Sequence, residues 1–210
     1  MKRLLIIGAG GFGREMATAA REAAGFGVDF SLGGFLDDNP GALDGFANYP
    51  PVVGGIDSYV PGKDDVFVSA IGDTEVRRKC VEKLAARGAE FIPVIHRTAS
   101  VGTNVRIGRG SFIANNVVLT ADVTVGEHAC VFHNSSIGHD TVLGDFSHVY
   151  AVCSLGGSVR VGAGARIYPG SVVLPRRKIG ERAVVGAGST VVVDVDAGST
   201  VFGSPAKPLE

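Results

Sequence analysis

From Ile95 to Val191 every sixth residue is aliphatic: Ile95, Val101, Ile107, Ile113, Leu119, Val125, Val131, Ile137, Leu143, Val149, Leu155, Val161, Ile167, Val173, Ile179, Val185 and Val191. If about a quarter of residues were aliphatic, such a register would arise by chance with odds on the order of one in 10^10, so no other feature constrains the fold as strongly. Four residues after each step lies a second register, in which Ala99, Val105, Ser111, Val117, Val123, Ala129, Ser135, Thr141, Ser147, Cys153, Val159, Ala165 and Ser171 are small or β-branched. One large and one small inward residue every six steps suits a short flat strand followed by a tight corner, each coil covered by the next. Glycine recurs at Gly108, Gly126, Gly144, Gly162 and Gly180, so three hexapeptides make one coil. About five coils then fit between Ile95 and Val191, and these glycines are expected at corners that need positive φ. Arg177 falls in a small-residue slot. A buried unpaired guanidinium is costly, so a local bulge that turns it outward is expected there.

The first ninety residues carry a different pattern. Lys2 to Ile7 reads as a buried strand, Gly8-Ala9-Gly10-Gly11-Phe12-Gly13 follows, and Arg14 to about Ala24 reads as a helix with Met16, Ala17, Ala20 and Ala24 on one side. Further strands are expected over Gly34 to Leu36 and Val66 to Ile71, then a helix over Thr74 to Ala86, with Phe91 to Val94 leading into the coils. This alternation implies a small Rossmann-like parallel α/β domain over residues 1–93 and a coil domain over 94–210. Gly8, Gly10 and Gly13 form a G-x-G-x-x-G that follows a strand and opens a helix, where backbone N–H groups can hold a diphosphate. A tight strand-to-helix turn alone would also account for them. Asp37 and Asp38 come somewhat late for the acidic residue of a dinucleotide site, and the domain is short for a six-stranded dinucleotide fold.

Charge and composition exclude other classes. The formal net charge is -1 and no Lys/Arg run exceeds three residues, so the chain lacks the electrostatic footprint of a nucleic-acid binder. No stretch approaches the roughly 18 apolar residues of a membrane span. Three cysteines, an odd number without metal-ligand spacing, suit reduced thiols in a cytoplasm, and no metal site is expected.

The repeat of aliphatic residue, Gly, two variable residues and a small residue resembles that of the hexapeptide-repeat acyltransferases, which implies a left-handed parallel β-helix. Gly8 to Glu15, then Gly34-Phe35-Leu36-Asp37-Asp38, then Ala70-Ile71-Gly72-Asp73 with Arg77, are similar to the N-terminal domain of NeuD/PglD-type sugar acyltransferases. The segment Ser135 to His148 carries that resemblance most closely, and Gly203-Ser204-Pro205-Ala206-Lys207 matches the family's G-x-P-A-K ending. The resemblance implies an acetyl-CoA-dependent N-acetyltransferase of a nucleotide-linked amino sugar, such as a UDP- or dTDP-4-amino-4,6-dideoxy sugar, in surface-glycan biosynthesis. It also implies a homotrimer with active sites between subunits.

Residue roles follow from the same resemblance. His139 is the general base and Asp140 the carboxylate that orients it; histidine is the side-chain type whose ordinary titration range reaches neutral pH. His148 lies nine residues on, half of one coil, so His139 of one chain is expected to meet His148 of a neighbour, which would contact the thioester or the acceptor. Acetyl-CoA is expected along Gly157, Gly186, Ala187 and Gly188, with Arg177 and Lys178, beside Arg176, on its phosphates. Gly8, Gly10 and Gly13 would face the substrate's diphosphate, Asp37 its ribose or base, and Gly72 its nucleotide. Asn134 is a further substrate candidate, since Phe132 stands where relatives typically carry Asn; His128 is expected at the surface. Sugar O-acetylation of the sialic-acid type is the alternative within the class. From other classes, an NAD-dependent oxidoreductase, a noncatalytic β-helix scaffold and a zinc carbonic anhydrase of related fold stand against it, the last wanting three converging His.

Overall fold

The computed structural model describes residues 1–209 and divides into two compact units, Met1–Arg97 and a second from Thr98 onward. In the first unit β1 (Lys2–Ile7), β2 (Phe30–Leu36), β3 (Val52–Gly54), β4 (Asp65–Ser69) and β5 (Glu90–Phe91) form one parallel sheet in the order β3-β2-β1-β4-β5. Leu4, Leu5, Ile6 and Ile7 of β1 are fully buried, as a continuous apolar run in the middle of a parallel sheet requires. Helix α1 (Gly11–Ala20) buries Gly13, Met16, Ala17 and Ala20, and α2 (Thr74–Ala85) is capped by the Asp73 carboxylate, which accepts from the amides of Glu75 and Val76.

The sequence places α1 later than the structure does. It begins at Gly11 because two glycines accept helical geometry, and Gly13 must be glycine: a Cβ there would run into the Gly8 carbonyl. It ends at Ala20, and the chain turns through Gly25 and Gly27 at φ +84° and +78°. Strand β3 is too short to show a period, and the sequence reading missed it. At the amino ends of β1 and β4, Arg3 and Tyr59 both hydrogen-bond the buried Asp65 carboxylate at 2.7 Å.

The second unit is a parallel β-helix of three faces. The first stacks Ser100–Val101, Val118–Leu119, Ser136–Ile137, Ser154–Leu155, Val172–Val173 and Thr190–Val191; the second stacks Arg106–Ile107, Thr124–Val125, Val142–Leu143, Arg160–Val161 and Lys178–Ile179. Along the third lie Phe112–Ile113, Cys130–Val131, His148–Val149, Arg166–Ile167, Val184–Val185 and, as a cap, Thr200–Phe202 with antiparallel Lys207–Pro208. The aliphatic ladder is the core: Leu119, Val131, Ile137, Leu143, Val149 and Ile167 are at most 1% exposed.

Two expectations about this unit need correction. The glycines one step past the ladder do not supply the left-handed corners; those fall three residues past it, at Asn104, Gly110, Asn116, Asp122, His128, Asn134, Asp140 and onward at the same interval. Gly126 and Gly144 are glycine for a different reason: a Cβ on either would come within 2.7 Å of the backbone of the next coil. Nor does a bulge form at Arg177, for Arg160–Val161 pairs in register with Lys178–Ile179. The coil above is shortened instead, since Ile179 bridges Val195, sixteen residues on rather than eighteen. The Arg177 side chain is thereby left 34% exposed, 3.6 Å from the Asp194 carboxylate.

Candidate active site

In the first unit the chain runs from β1 to neighbours on opposite sides, β2 and β4, so the sheet's topological switch point lies beyond the carboxyl end of β1. The loops after β1 and β4 meet there: Gly8 adopts φ +97°, and a Cβ on it would sit 3.2 Å from the Ala70 carbonyl oxygen. Gly10 and Gly72 face open space, with nothing within 4 Å of the point a Cβ would occupy. Asp37, at the end of β2, accepts from the Ala9 amide at 2.8 Å and from the Asn39 amide at 2.9 Å. It therefore shapes the glycine loop directly, while the second lone pairs of its oxygens stay available to a hydroxyl. Sequence reasoning did not single out Arg14, whose guanidinium carbon lies 3.6 Å over the Phe46 ring centroid and ties the loop after β2 to α1.

In the coil unit His139 and Asp140 occupy the corner between the first and second faces. Asp140 takes the left-handed conformation at φ +58°, which a short polar side chain tolerates. Its carboxylate lies 2.7 Å from His139 Nδ1, and both side chains are exposed, at 67% and 56%. With the Nδ1 proton given to Asp140, the lone pair of the neutral ring is at Nε2. The His139 carbonyl accepts the Ser158 amide at 2.7 Å, and Gly157 lies next to the ring one coil further on. Arg160 donates through Nη1 to the Asp140 carbonyl. It too escaped notice in the sequence, although Arg160 and Lys178 stand one residue before consecutive second-face steps, in one column with Arg106, Thr124 and Val142.

His148 is elsewhere. It sits on the third face, opposite the His139 corner, and is 1% exposed. Its ring lies against both Phe132 and Tyr150 at centroid distances of 4.9 and 4.0 Å, those two rings stand 5.8 Å apart, and Tyr168 continues the column from Tyr150 at 4.7 Å. One chain thus does not bring His139 and His148 into one cleft. Asn134 lies at the corner between the third and first faces, where its Oδ1 accepts from Asn116 at 3.3 Å, and Gly188 shares that corner's column. Gly157, Arg177 and Lys178 belong to the His139 side, so the expected acetyl-CoA residues fall at two corners of the prism. A Cβ on Gly186 would meet the Phe202 ring. His128 is not at the surface: it is 3% exposed and stacked on Phe146 at 4.9 Å. Among the described residues no group of three or more His, Cys, Asp or Glu is placed to hold a metal ion.

Comparison with known proteins bears on both units. The model of the PglD N-terminal domain matches residues 3–84, and that of the GMPPB C-terminal domain matches residues 92–188. The acetyltransferase domain of PglB from Neisseria gonorrhoeae superposes with a TM-score of 0.89 at 31% identity, covering 100% of both chains. PerB from Caulobacter crescentus, solved with CoA and GDP-perosamine, superposes with a TM-score of 0.88 at 29% identity over 100% of this chain and 98% of that one. A UDP-N-acetylbacillosamine N-acetyltransferase of Bacillus subtilis is 31% identical over 117 residues, which are 54% of this chain; the match spans about half, 51%, of that curated relative.

Proposed function

From the family to which this chain belongs, the NeuD/PglD-type sugar acetyltransferases, we propose that it transfers an acetyl group from acetyl-CoA to the amine of a nucleotide-linked amino sugar. The observation that carries the reading is the His139–Asp140 pair at an exposed corner, its Nε2 turned away from the carboxylate. The relatives supply the substrate class: two are N-acetyltransferases of nucleotide-linked sugars by name, and one was solved with CoA and GDP-perosamine together. In the reaction Nε2 accepts a proton from the sugar amine as its nitrogen attacks the thioester carbonyl. The C–N bond forms, the C–S bond breaks, and CoA leaves as the thiol. Asp140 holds the ring and stabilises the imidazolium formed in the step. No covalent enzyme intermediate is needed.

The nucleotide half of the substrate belongs to the crevice beside Gly8, Gly10, Gly13, Asp37 and Gly72. Acetyl-CoA belongs to Gly157, Gly186, Ala187 and Gly188, with Arg177 and Lys178 toward its phosphates. A homotrimer accounts for their spread over two corners, and for His148 and Asn134 as a neighbour's contribution to the site. The first face suits such packing: Ser100, Val118, Ser136, Ser154, Val172 and Thr190 point outward without one charge among them, and Val118 and Val172 are 38% and 37% exposed. The three free cysteines support a cytoplasmic location for the enzyme.

The test is CoA release with nucleotide-linked amino and hydroxy sugars, beside the His139→Ala variant. Turnover of amino sugars alone is expected; turnover of hydroxy sugars alone would move the reading to O-acetylation, and activity surviving in His139→Ala would refute it. Mixing inactive His139→Ala and His148→Ala chains should restore about one quarter of wild-type activity if each site is shared by two subunits in a random trimer.

A further inference from the structure

We propose that Gly157 is a positioning residue for the base: the missing side chain is what allows the His139 imidazole to keep its hydrogen bond to Asp140 while Nε2 stays open. The inference rests on the reading of His139 as base but goes beyond it, to what sets the ring's place. A Cβ built on Gly157 would lie 2.5 Å from Nε2, 2.7 Å from Cε1 and 3.0 Å from Cδ2 of His139. All three nearest atoms are part of one imidazole, and the backbone at 157 is not in the left-handed region, so the ring is what an alanine there meets first. The ring is 67% exposed and can swing outward, but doing so carries Nε2 off its place and pulls Nδ1 from Asp140. Its other nitrogen is held by Asp140 at 2.7 Å, and the residue's carbonyl is held by the Ser158 amide at 2.7 Å. Restoring ordinary contact, 3.4 Å, means moving Nε2 by about 0.9 Å, from 3.4 less 2.5. A shift of that size at a reacting atom costs on the order of 100-fold in rate. The same column of corners carries Thr103, Ala121 and Pro175 at eighteen-residue intervals, so a residue with a Cβ is ordinary at this position except above the imidazole.

The experiment is Gly157→Ala in the full chain. Alanine keeps the backbone N–H, so a role of that amide toward the acetyl group is untouched. The proposal expects kcat to fall about 100-fold, the acetyl-CoA KM to change less than about threefold, and the Nδ1–H proton resonance of His139 to shift or broaden. A raised acetyl-CoA KM with the His139 resonance in place would overturn it, by showing that the new methyl obstructs the thioester instead. Full kcat in Gly157→Ala would also overturn it. Failure of the wider reading looks different: His139→Ala would then itself remain active.

Discussion

Val152 offers a quantitative test of how the corners are made. It occupies one of the left-handed positions, φ +61°, although it is β-branched and 59% exposed. An ordinary L-residue pays about 1–2 kcal/mol for that conformation, and a β-branched one is the least tolerant. The substitution Val152→Asn removes most of this cost. Against it stands the lost burial of the remaining 41% of the valine, taken from its 59% exposure, which at about 1.5 kcal/mol for full burial is worth about 0.6 kcal/mol. The equivalent residues of the two preceding coils, Asn116 and Asn134, already hydrogen-bond each other through their side chains, so the new amide extends an existing ladder. The net gain is about 1 kcal/mol, a rise of about 2–4 °C in Tm for a chain of this length. Thermal unfolding followed by circular dichroism at equal protomer concentration measures it. Val118→Asn is the control: 38% exposed, but in a strand of the first face, where valine is favoured and Asn is not. A loss of Tm in Val152→Asn comparable to that in Val118→Asn would refute the argument.

Three further outcomes are expected. Burial pushes the Asp65 carboxyl up, but hydrogen bonds from Arg3, Tyr59 and the Gly62 amide outweigh it and hold its pKa below the ordinary value. A depressed folded-state pKa stabilises above about pH 4 and is lost as pH falls through the folded value, so urea midpoints between about pH 6 and 3 should decline less steeply in Asp65→Asn than in wild type. Burial pushes the Cys153 thiol up to about 11, so mass-mapped alkylation at about pH 8 should find Cys153 modified only after denaturation. Asp37→Ala leaves the amides of Ala9 and Asn39 without their acceptor and should weaken UDP or GDP binding about tenfold by calorimetry, with unchanged affinity counting against the crevice as the nucleotide site.

The second unit was legible in the sequence because each inward position repeats a local demand: a ladder of aliphatic residues every six steps has no use in a helix or an ordinary strand, and stacking is the only way to bury it. The glycine loop that opens α1 was legible for the same reason, whereas the Asp73 carboxylate that caps α2 was not singled out. Resemblance, and not spacing, pointed to His139 and Asp140. What only the tertiary structure decided concerns residues whose neighbours are eighteen positions away. Gly126 and Gly144 are glycine because another coil passes over them, and not because of their own φ. His128 and His148, polar by type, are buried because Phe146, Phe132 and Tyr150 of the same or adjacent coils stack on them. Arg177, expected to turn outward, does so through a coil above it that is short by two residues and not through a bulge. Hydrophobic periodicity records which way a residue points, whereas what meets it there depends on chain that arrives one full turn later.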